Sequence, residues 1–594
     1  MPEYLAPGVY IEETPSANKA IQGASTSTAG MVGVTERGPV GVPTLITSAG
    51  QFKRVFGGLL NHNTATYAHA TDQAKDALPH AIAGFFANGG SRVYVVRVVG
   101  SAATIAGLTI KDGADDVMKI CASSPGAWGA ALTITTKRKS KVATTLAEKA
   151  DKDAVVIKLA SVFGVSVGTN LKIDATIYPV VRMLTDGNVE IGKPITANKP
   201  KDEAVTSEEF DLTVEVVKNG IAFESEIYTD LNLNPASPNY APAVLGSCAA
   251  DGKSPSRAGA STLARIHVPA AMATAAIKRP EDTYSAMKDV ADAAKAPVDG
   301  TLDDTAITGT VSDDPGKRTG IQALANEPGI SLVSVPGWTS VTVQKALLAH
   351  CEDQVYRFAV LDMKKSADIA GARSHRSEFD STRGAIYYPW VTIADPFGPK
   401  GEVHMVPPSG HMLGLYARTD NARGVWKAPA NEVVRGILGF DIAVNKGEQD
   451  ILNPVHVNCL RDFRSEQRGL RAWGARTLSS NPEWRYVPVR RTFLFIEQSL
   501  DAGLQWAVFE PNAKPLWDTV KQSITGFLDG IWRQGGLAGV TQEQAFFVNI
   551  GYGITMEQAD LDNGRLICEV GIAPVNPAEF VIIRISQKTL EAAG

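Results

Sequence analysis

The last third of the chain, from Tyr388 to Gly594, most constrains what this sequence can form. Seven of the nine tryptophans fall in it, among turns fixed by proline and glycine: Trp390, Trp426, Trp473, Trp484, Trp506, Trp517 and Trp532. Large aromatic side chains on a fixed backbone are typical of cores and of protein–protein interfaces. No motif of this region resembles a reaction centre. The sequence therefore predicts a region built for packing and for contact with other proteins.

Length and charge narrow the class of protein. The 594 residues are too many for a single core, so we expect three or four domains. Apolar residues make up 44% and charged residues 20%, which is ordinary for a globular protein. The formal net charge of -5 argues against direct nucleic-acid binding, which favours a basic excess.

The cysteines and the chain start indicate the compartment. The five cysteines stand singly, without a C-x-x-C motif, and we expect reduced, buried thiols rather than a disulfide framework or a zinc site: Cys121, Cys248, Cys351, Cys459 and Cys568. The first residues lack the apolar stretch of a signal peptide, and no apolar run reaches the roughly 18 residues that span a bilayer. We therefore expect folding in a cytoplasm and no membrane insertion.

Both ends of the chain contain short strand patterns. Val9–Glu13 alternates apolar and polar residues, and the small, polar stretch from Ser16 to Ala29 predicts a flexible tether behind it. Glu579–Ser586 is a second, strongly apolar strand close to the end. Such strands pair either within their own chain or with a sheet edge of another molecule, which satisfies their backbone groups.

The remaining chain reads as mixed α/β. A helix over 67–86, stopped at Asn88–Gly90, precedes a central strand over 92–99. Strand 330–337, a helix through His350 and Cys351, and strand 357–362 have the spacing of a parallel βαβ unit. Between them, residues 101–259 alternate short Val/Ile/Thr runs with turns, and we interpret them as an inserted all-β surface domain.

The clearest helix pattern covers residues 515–534. Its apolar side contains Trp517, Ile524 and Trp532, with Pro515 at its start. Its other side carries polar residues that are either solvated surface or a contact patch: Asp518, Lys521, Gln522, Asp529 and Arg533.

Motifs for catalysis fail on inspection. Gly252-Lys253-Ser254 lacks the earlier glycine of a phosphate-binding loop, since Ser247 occupies that position. His350 and Cys351 are adjacent on a helix and point in different directions, which favours a core pair over a nucleophile and its base. We expect no enzyme, no cofactor and no metal; a nucleotide-dependent motor using the βαβ region is the remote alternative.

A series of motifs resembles one known family. They occur in this order: Ala6–Tyr10, Ser124–Gly129, Tyr387–Trp390, Pro407–His411, Tyr416–Asp420, Gly424–Asn431, Trp473–Leu478, Arg490–Arg491, Phe509–Asn512 and Ala573–Phe580. Together they resemble the tail sheath protein of contractile-tailed bacteriophages and related contractile injection particles. The resemblance is strong over roughly the last 230 residues and weak in the β-rich segment.

The resemblance implies a structural, force-generating subunit. Sheath subunits stack as hexameric rings around an inner tail tube, between a baseplate and a tail terminator. Contraction from a metastable extended state drives the tube through the target cell envelope. The implied location is the virion tail, assembled in the host bacterial cytoplasm. A sheath of a bacteriocin-like or toxin-delivery particle is the alternative within the same class.

The resemblance and the residue patterns together give a division of the chain. We expect an exchange strand and linker at 1–29, the first part of the core at 30–100, the β-rich outer insertion at 101–260, an α/β middle domain at 261–385 and a C-terminal sheath domain at 386–594. The residues expected to pair with neighbouring subunits are Val9, Tyr10, Ile11, Glu12, Glu13, Phe580, Val581, Ile582, Ile583, Arg584, Ile585 and Ser586. Arg418, Arg476, Arg490 and Arg491 either brace the core through ion pairs or meet those neighbours. We expect the C-terminal core to face the inner tube and the β-rich insertion to face outward. The polar side of helix 515–534 is then either plain solvated surface or the contact with the tube, through Asp518, Lys521, Gln522, Asp529 and Arg533.

Overall fold

A computed structural model describes residues 19–60, 76–252, 259–270 and 278–584. The chain separates into two units. Among the described residues, the first unit comprises those up to Met31, those of Ala81–Val93 and those from Glu327 on, and the second comprises those of Val32–His80 and Tyr94–Asn326. This division is coarser than the five segments expected from the sequence, which stay a prediction.

A mainly parallel sheet forms the centre of the first unit. Its strands lie in the order Ala29–Gly33, Leu332–Ser334, Phe358–Asp362, Gly384–Tyr388, Val457–Phe463, Gly469–Ala472 and Glu432–Val433. The first five pair in parallel, Gly469–Ala472 pairs antiparallel with Val457–Phe463, and Glu432–Val433 pairs antiparallel with Gly469–Ala472. Because parallel sheets are buried on both faces, their strands are apolar throughout. All five residues of Phe358–Asp362 and of Gly384–Tyr388 are buried accordingly.

Two smaller sheets and most helices complete the first unit. One sheet contains Val403–Val406, Val391–Ala394 and Gly439–Phe440, and the other only Phe546–Ile550 and Cys568–Ile572. The α-helices are Ala77–Ala87, Val341–Asp353, Ile369–Arg376, Ser409–Arg423, Lys446–Leu452, Val487–Leu504, Lys514–Arg533, Gln542–Ala545 and Gln558–Asp562, the first of which crosses the boundary at Ala81. Short 3₁₀ turns lie at Arg464–Glu466, Pro482–Trp484 and Gln505–Ala507.

The predicted βαβ unit is confirmed. Leu332–Ser334 and Phe358–Asp362 pair in parallel, and helix Val341–Asp353 connects them. The helix predicted over 67–86 is confirmed from Ala77 to Ala87; positions 67–75 lie outside the described residues, and Asp76 is part of a turn. It ends before Asn88, and Gly89 supplies the positive φ of 100° that the turn needs. The strand predicted over 92–99 is present as Val93–Arg97.

Glycines let helix Ser409–Arg423 approach helix Ala77–Ala87 closely. A Cβ on Gly414 would lie 2.3 Å from the carbonyl oxygen of Phe85, and one on Gly410 would lie 2.3 Å from that of Ala81. Backbone atoms of a packed helix cannot yield as a flexible side chain does. The close approach therefore depends on the absence of side chains at these two positions.

Gly414→Ala is expected to destabilise the first unit by about 1–3 kcal/mol, because the added methyl group overpacks a backbone contact. Gly526→Ala is the matched control, since Gly526 lies inside helix Lys514–Arg533 with nothing within 4 Å of its added Cβ. That substitution is expected to stabilise by about 0.5–1 kcal/mol. Urea unfolding followed by tryptophan fluorescence measures both, because only Trp128 of the nine tryptophans belongs to the second unit. Changes of the same sign would refute the close-packing argument.

The second unit is dominated by antiparallel strands, as the turn-rich pattern of residues 101–259 predicts. A six-stranded sheet has, in spatial order, the strands Ala143–Thr145, Ala204–Ser207, Asn170–Ile173, Thr176–Met183, Asn188–Ile191 and Val156–Lys158. A first four-stranded sheet contains Ile221–Leu231, Glu209–Lys218, Leu132–Lys139 and Thr283–Ala286. A second four-stranded sheet contains Ala264–His267, Asp115–Ala122, Ala106–Asp112 and Lys288–Asp289. Thr44–Ile46 lies beside Val93–Arg97. Its helices and 3₁₀ turns are short: Ala49–Phe56, Ala127–Ala131, Ala241–Leu245, Asp304–Thr308, Pro315–Lys317 and Gly320–Asn326.

One cysteine prediction is wrong. Cys121 and Cys248 form a disulfide in the second unit, although the sequence predicted five reduced thiols. The two residues are 127 positions apart, and only the fold of the β-rich segment brings their Cα atoms to 6.9 Å. Cys351 and Cys459 are buried free thiols, as predicted, and Cys568 is half-buried.

Candidate functional site

The C-terminal segment is the most exposed apolar stretch that the structure describes in the first unit. Phe580, Val581, Ile582 and Ile583 are 71–80% exposed, one after another. Monomeric proteins rarely expose a contiguous apolar patch without a binding function. We call residues 580–584 the C-terminal arm.

The C-terminal arm does not pair within the single chain. The sequence predicted a strand over Glu579–Ser586; the described residues up to Arg584 form no strand within the chain, and the pairing of this segment with another copy stays a prediction. A strand needs a hydrogen-bonded neighbour, and within the described residues the arm has no strand partner. Ile585, Ser586 and the predicted N-terminal exchange strand Val9–Glu13 lie outside the described residues.

The arm is fixed at its base by Glu579. Arg476 Nε donates to Oε1 of this carboxylate at 2.9 Å and to Oε2 at 3.2 Å, and its Nη2 donates to Oε2 at 2.6 Å. Asn453 Nδ2 donates to Oε1 at 2.8 Å, and the Tyr486 hydroxyl donates to Oε2 at 3.1 Å. Burial alone would raise the pKa of Glu579, but these hydrogen bonds and the charge of Arg476 lower it below its usual value. We call this set the Glu579 clamp.

The N-terminal segment, residues 19–28, is also held to the first unit. Ile21 packs into the apolar cluster around Ile496 and Ile524. Ala24 N donates to Ser499 Oγ at 2.9 Å, and Arg491 Nη2 donates to the carbonyl of Thr26 at 3.0 Å. The flexible tether predicted over Ser16–Ala29 is therefore wrong for these residues, because long-range contacts fix a stretch whose composition alone favours flexibility.

The arginines singled out in the sequence brace the fold. Arg491 forms a buried, two-bonded ion pair with Asp420, and Arg476 belongs to the Glu579 clamp. Arg418 donates to the backbone carbonyls of Asn88 and Val433. Arg490 lies 3.8 Å from Glu497 and over the ring of Trp484. Of the two alternatives for these residues, the structure supports bracing.

The long helix has the predicted faces. It spans Lys514–Arg533, and its apolar side buries Val520, Ile524, Leu528 and Ile531. On the polar side, Asp518 pairs with Lys514 at 2.9 Å and Asp529 with Arg533 at 2.7 Å, while Lys521 and Gln522 are exposed. Nothing in these contacts distinguishes solvated surface from a contact patch, so the tube contact predicted for this face stays a prediction.

His350 and Cys351 occupy the core rather than a reactive site. His350 Nε2 lies 2.6 Å from Arg357 Nη1, and burial together with the charge of Arg357 lowers the pKa of this histidine to about 3. A neutral imidazole therefore accepts the guanidinium hydrogen. Burial raises the pKa of the Cys351 thiol to about 12, so the thiol stays protonated at neutral pH and is a poor nucleophile.

Asp362 is a buried carboxylate that organises the centre of the first unit. It accepts hydrogen bonds from Gly337 N at 2.9 Å, from Ser409 N at 2.8 Å and from Ser409 Oγ at 2.7 Å. It thereby joins the end of strand Phe358–Asp362 to the start of helix Ser409–Arg423. Burial raises the pKa of Asp362 to about 6, even though these hydrogen bonds favour the charged form.

Because the pKa of Asp362 is raised, its contribution to the stability of the fold should decrease as the pH rises, which is the reverse of the usual behaviour of an aspartate. Since its pKa of about 6 in the folded chain exceeds the roughly 3.9 of an unfolded aspartate, the folded state holds the proton more tightly. Its stabilising contribution is complete below about pH 4 and is lost as the pH rises to about 6, by up to about 3 kcal/mol. The Asp362→Asn variant serves as the reference, because the asparagine side chain does not titrate in this pH range. The stability of the wild type relative to this variant, from urea unfolding, should therefore fall from about pH 4 to about pH 7; a constant difference would contradict the assignment.

Two properties define the class of protein. An exposed apolar arm with a hydrogen-bonded base is typical of a contact with other protein chains, and the candidate pair His350 and Cys351 is buried in the core. Among the described residues, no helix combines the length and the apolar stretch needed to cross a membrane. These features are typical of a protein that assembles with other protein chains.

Comparisons with known proteins find two family models that match this chain. The family model of the phage tail sheath protein central domain matches residues 320–478, and that of the phage tail sheath C-terminal domain matches residues 479–588. Residues 320–588 are thus similar to the central and C-terminal domains of phage tail sheath proteins.

Two individual relatives are each less than 30% identical to this chain. A prophage major tail sheath protein of Pseudomonas aeruginosa is 29% identical over 247 residues, which are 39% of this chain and 61% of that protein. The tail sheath protein of Escherichia phage P2 is 23% identical over 312 residues, 48% of this chain and 74% of the phage protein. The match thus spans less than two thirds of the Pseudomonas relative.

Solved structures share the architecture along almost the whole chain. The sheath complex of an extracellular contractile injection system, PVC, in the contracted state has a TM-score of 0.50 and 22% identity, with 99% of each chain covered. The contracted helical sheath of the anti-feeding prophage has a TM-score of 0.50 and 21% identity, covering 98% of this chain and 100% of that one. The mixed α/β, multi-sheet fold is therefore that of sheath proteins.

Proposed function

We propose that this chain is the structural subunit of a contractile tail sheath. Many copies polymerise as stacked hexameric rings around an inner tail tube. They contract from a metastable extended state and drive the tube through the envelope of the target cell. The observation that carries this proposal is the C-terminal arm, which presents four exposed apolar residues from a clamped base.

Strand exchange links the copies. Val9–Glu13 and Phe580–Ser586 each add to a sheet of a neighbouring copy, and main-chain hydrogen bonds hold them there. The sheet of Phe546–Ile550 and Cys568–Ile572 is a suitable acceptor, because it has only two strands in the described chain and two-stranded sheets are marginally stable alone. Backbone pairing depends little on side-chain identity, so such links persist while subunits rotate.

Contraction needs no chemical fuel in this scheme. The extended sheath stores free energy at assembly, and interfaces that bury more area after contraction release it when the baseplate triggers the change. The chain is accordingly not an enzyme and needs no cofactor or metal. A head-to-tail contact that does not close produces an open helical array, which matches stacked rings.

The partners follow from this arrangement. They are further copies of the chain, the inner tail tube protein, the baseplate and the tail terminator, with neither direct nucleic-acid binding nor membrane insertion. The C-terminal sheath domain 386–594 faces the tube, with Asp518, Lys521, Gln522, Asp529 and Arg533 as the contact. The β-rich segment 101–260 faces outward as an inserted domain. Assembly takes place in the cytoplasm of the bacterial host, and the product is the tail of a virion.

A toxin-delivery or bacteriocin-like particle is the second candidate. The solved sheaths that match along nearly the whole chain come from an extracellular contractile injection system and an anti-feeding prophage. The two candidates share every property of the subunit and differ in what the particle carries. A capsid gene beside the gene for this chain would decide for the phage.

Electron microscopy of the purified chain tests the proposal. We expect long hollow tubes in negative stain and material in the void volume of a size-exclusion column. If the chain alone gives particles of one to six subunits, the candidate tube protein is added, and tubes should then form around it. A chain that stays small under both conditions would overturn the proposed function.

A further inference from the structure

Phe509 is the most exposed large apolar residue that the structure describes, and its backbone is in the left-handed region. Its relative exposure is 104%, and its φ is +68°. An aromatic residue rarely adopts such a φ, because its Cβ crowds the following carbonyl. Val508 beside it is 57% exposed. The chain thus holds an aromatic ring in water at the cost of both backbone strain and hydration.

Hydrogen bonds hold both ends of the loop that carries Phe509. Asn512 Nδ2 donates to the carbonyl of Arg565 at 3.0 Å, and its Oδ1 accepts from Trp517 Nε1 at 2.7 Å. On the other side, Glu510 N donates to Ala507 O at 3.3 Å. These bonds fix both ends of the turn that carries the ring. Strain that persists in a fixed turn is typical of functional positions.

The loop lies beside the root of the N-terminal segment. Lys19 Nζ sits 4.2 Å from the centre of the Trp506 ring, three residues before Phe509. From Lys19 back to Glu13 there are six residue steps, which span at most about 22 Å. From Trp506 to Phe509 there are three steps, at most about 11 Å. Lys19, where the described part of the N-terminal segment begins, therefore lies next to the loop that carries Phe509. Under the proposed function, the copy that receives the exchange strand Val9–Glu13 approaches the same part of the first unit.

We propose that Phe509, extended by Val508, is an anchor that inserts into an apolar pocket of the neighbouring copy of this chain. The inference rests on the proposed function and names a contact that strand exchange alone does not supply. A preformed aromatic anchor loses little side-chain freedom on docking, and buried aromatic residues dominate the affinity of interfaces. The backbone strain and the exposure of the ring thus destabilise the free chain, and the contact in the polymer offsets this destabilisation.

Phe509→Gly is the decisive variant, because its two effects have opposite directions. Glycine adopts a φ of +68° without steric cost, so the melting temperature of the subunit should not fall. The critical concentration for polymerisation, measured by light scattering of the purified chain, should rise about tenfold or more. Phe163→Ala is the matched control: Phe163 is 87% exposed and has no positive φ, and its loss should change neither quantity.

The other results each overturn the inference. Polymerisation of Phe509→Gly at the wild-type critical concentration would show that the ring is no anchor, while the sheath function would stand. Normal polymerisation of the sheath alone with weaker binding to the tube protein would assign the ring to the tube instead. A wild-type chain that never polymerises, with or without the tube protein, would overturn the proposed function and this inference with it.

Discussion

Asp420→Ala is expected to destabilise the first unit by about 3–5 kcal/mol, because it leaves the Arg491 guanidinium buried without its counter-charge. The pair is two-bonded, with Nη1 to Oδ1 at 2.9 Å and Nη2 to Oδ2 at 2.5 Å, and its side chains are 4% and 2% exposed. Arg491 also lies over the ring of Tyr416, whose hydroxyl is 2.7 Å from that of Tyr387. Urea unfolding followed by tryptophan fluorescence measures the loss.

Two further variants separate burial from charge. Lys514→Ala breaks the exposed pair with Asp518 in the same unit and should cost less than about 1 kcal/mol. Replacing both partners, as Asp420→Leu with Arg491→Met, removes the uncompensated charge and should recover much of the stability lost in Asp420→Ala. An Asp420→Ala variant as stable as Lys514→Ala would show that the buried pair carries no such energy.

The sequence predicted best where a pattern is local. Helix Lys514–Arg533 repeats apolar residues at helical spacing and has Pro515 in its first turn, so its bounds and buried face follow from neighbours in the chain. The strand, helix and strand from Leu332 to Asp362 are predictable for the same reason. Val355 shows the limit: it continues the apolar spacing of Val343, Leu347 and Cys351, but the helix ends at Asp353 and the chain turns at Val355 with a φ of +58°.

The candidate site was predictable only in part. The apolar run Phe580–Ile583 is visible in the sequence. Whether it pairs within its own chain depends on free sheet edges, and these are formed by segments far away in the sequence. Glu579 meets Arg476 across 103 positions, and Thr26 meets Arg491 across 465. Spacing rules operate over a few residues and cannot pair such positions. The disulfide of Cys121 with Cys248 escaped prediction for the same reason.

The two anchored roots have a mechanical consequence. Arg476 holds the base of the C-terminal arm, and Arg491 holds the N-terminal segment at Thr26. Both arginines belong to the same unit, one in the chain just before helix Val487–Leu504 and the other within that helix. Under the proposed function, a force on an exchanged strand is therefore transmitted to the core of the first unit and is not absorbed by the extension of a flexible linker.

Proline substitution in the C-terminal arm is expected to abolish long polymers without destabilising the subunit. Ile582→Pro and Ile583→Pro each remove one backbone N–H and restrict the chain, which strand pairing does not tolerate. Because N–H groups of neighbouring residues point to opposite sides of a strand, at least one of the two variants deletes a ladder donor, whichever side pairs. Both side chains are 78–79% exposed in the single chain, so the melting temperature should stay unchanged. Negative-stain microscopy and size-exclusion chromatography measure the loss of tubes.

Ile583→Thr is the matched control, because threonine keeps the N–H and the β-branched shape that strands favour. It should still form tubes, at a somewhat higher concentration, since only apolar burial is reduced. If both proline variants form normal tubes, the arm is not a strand-exchange link, and the exposed apolar run needs another partner. If the threonine variant fails as completely as proline, the arm docks through its side chains rather than its backbone. The strand-exchange link is supported only if the threonine variant still forms tubes and at least one proline variant does not. That combination would show that the link depends on the backbone N–H and not on the side chain, as a link that holds while subunits rotate past one another requires.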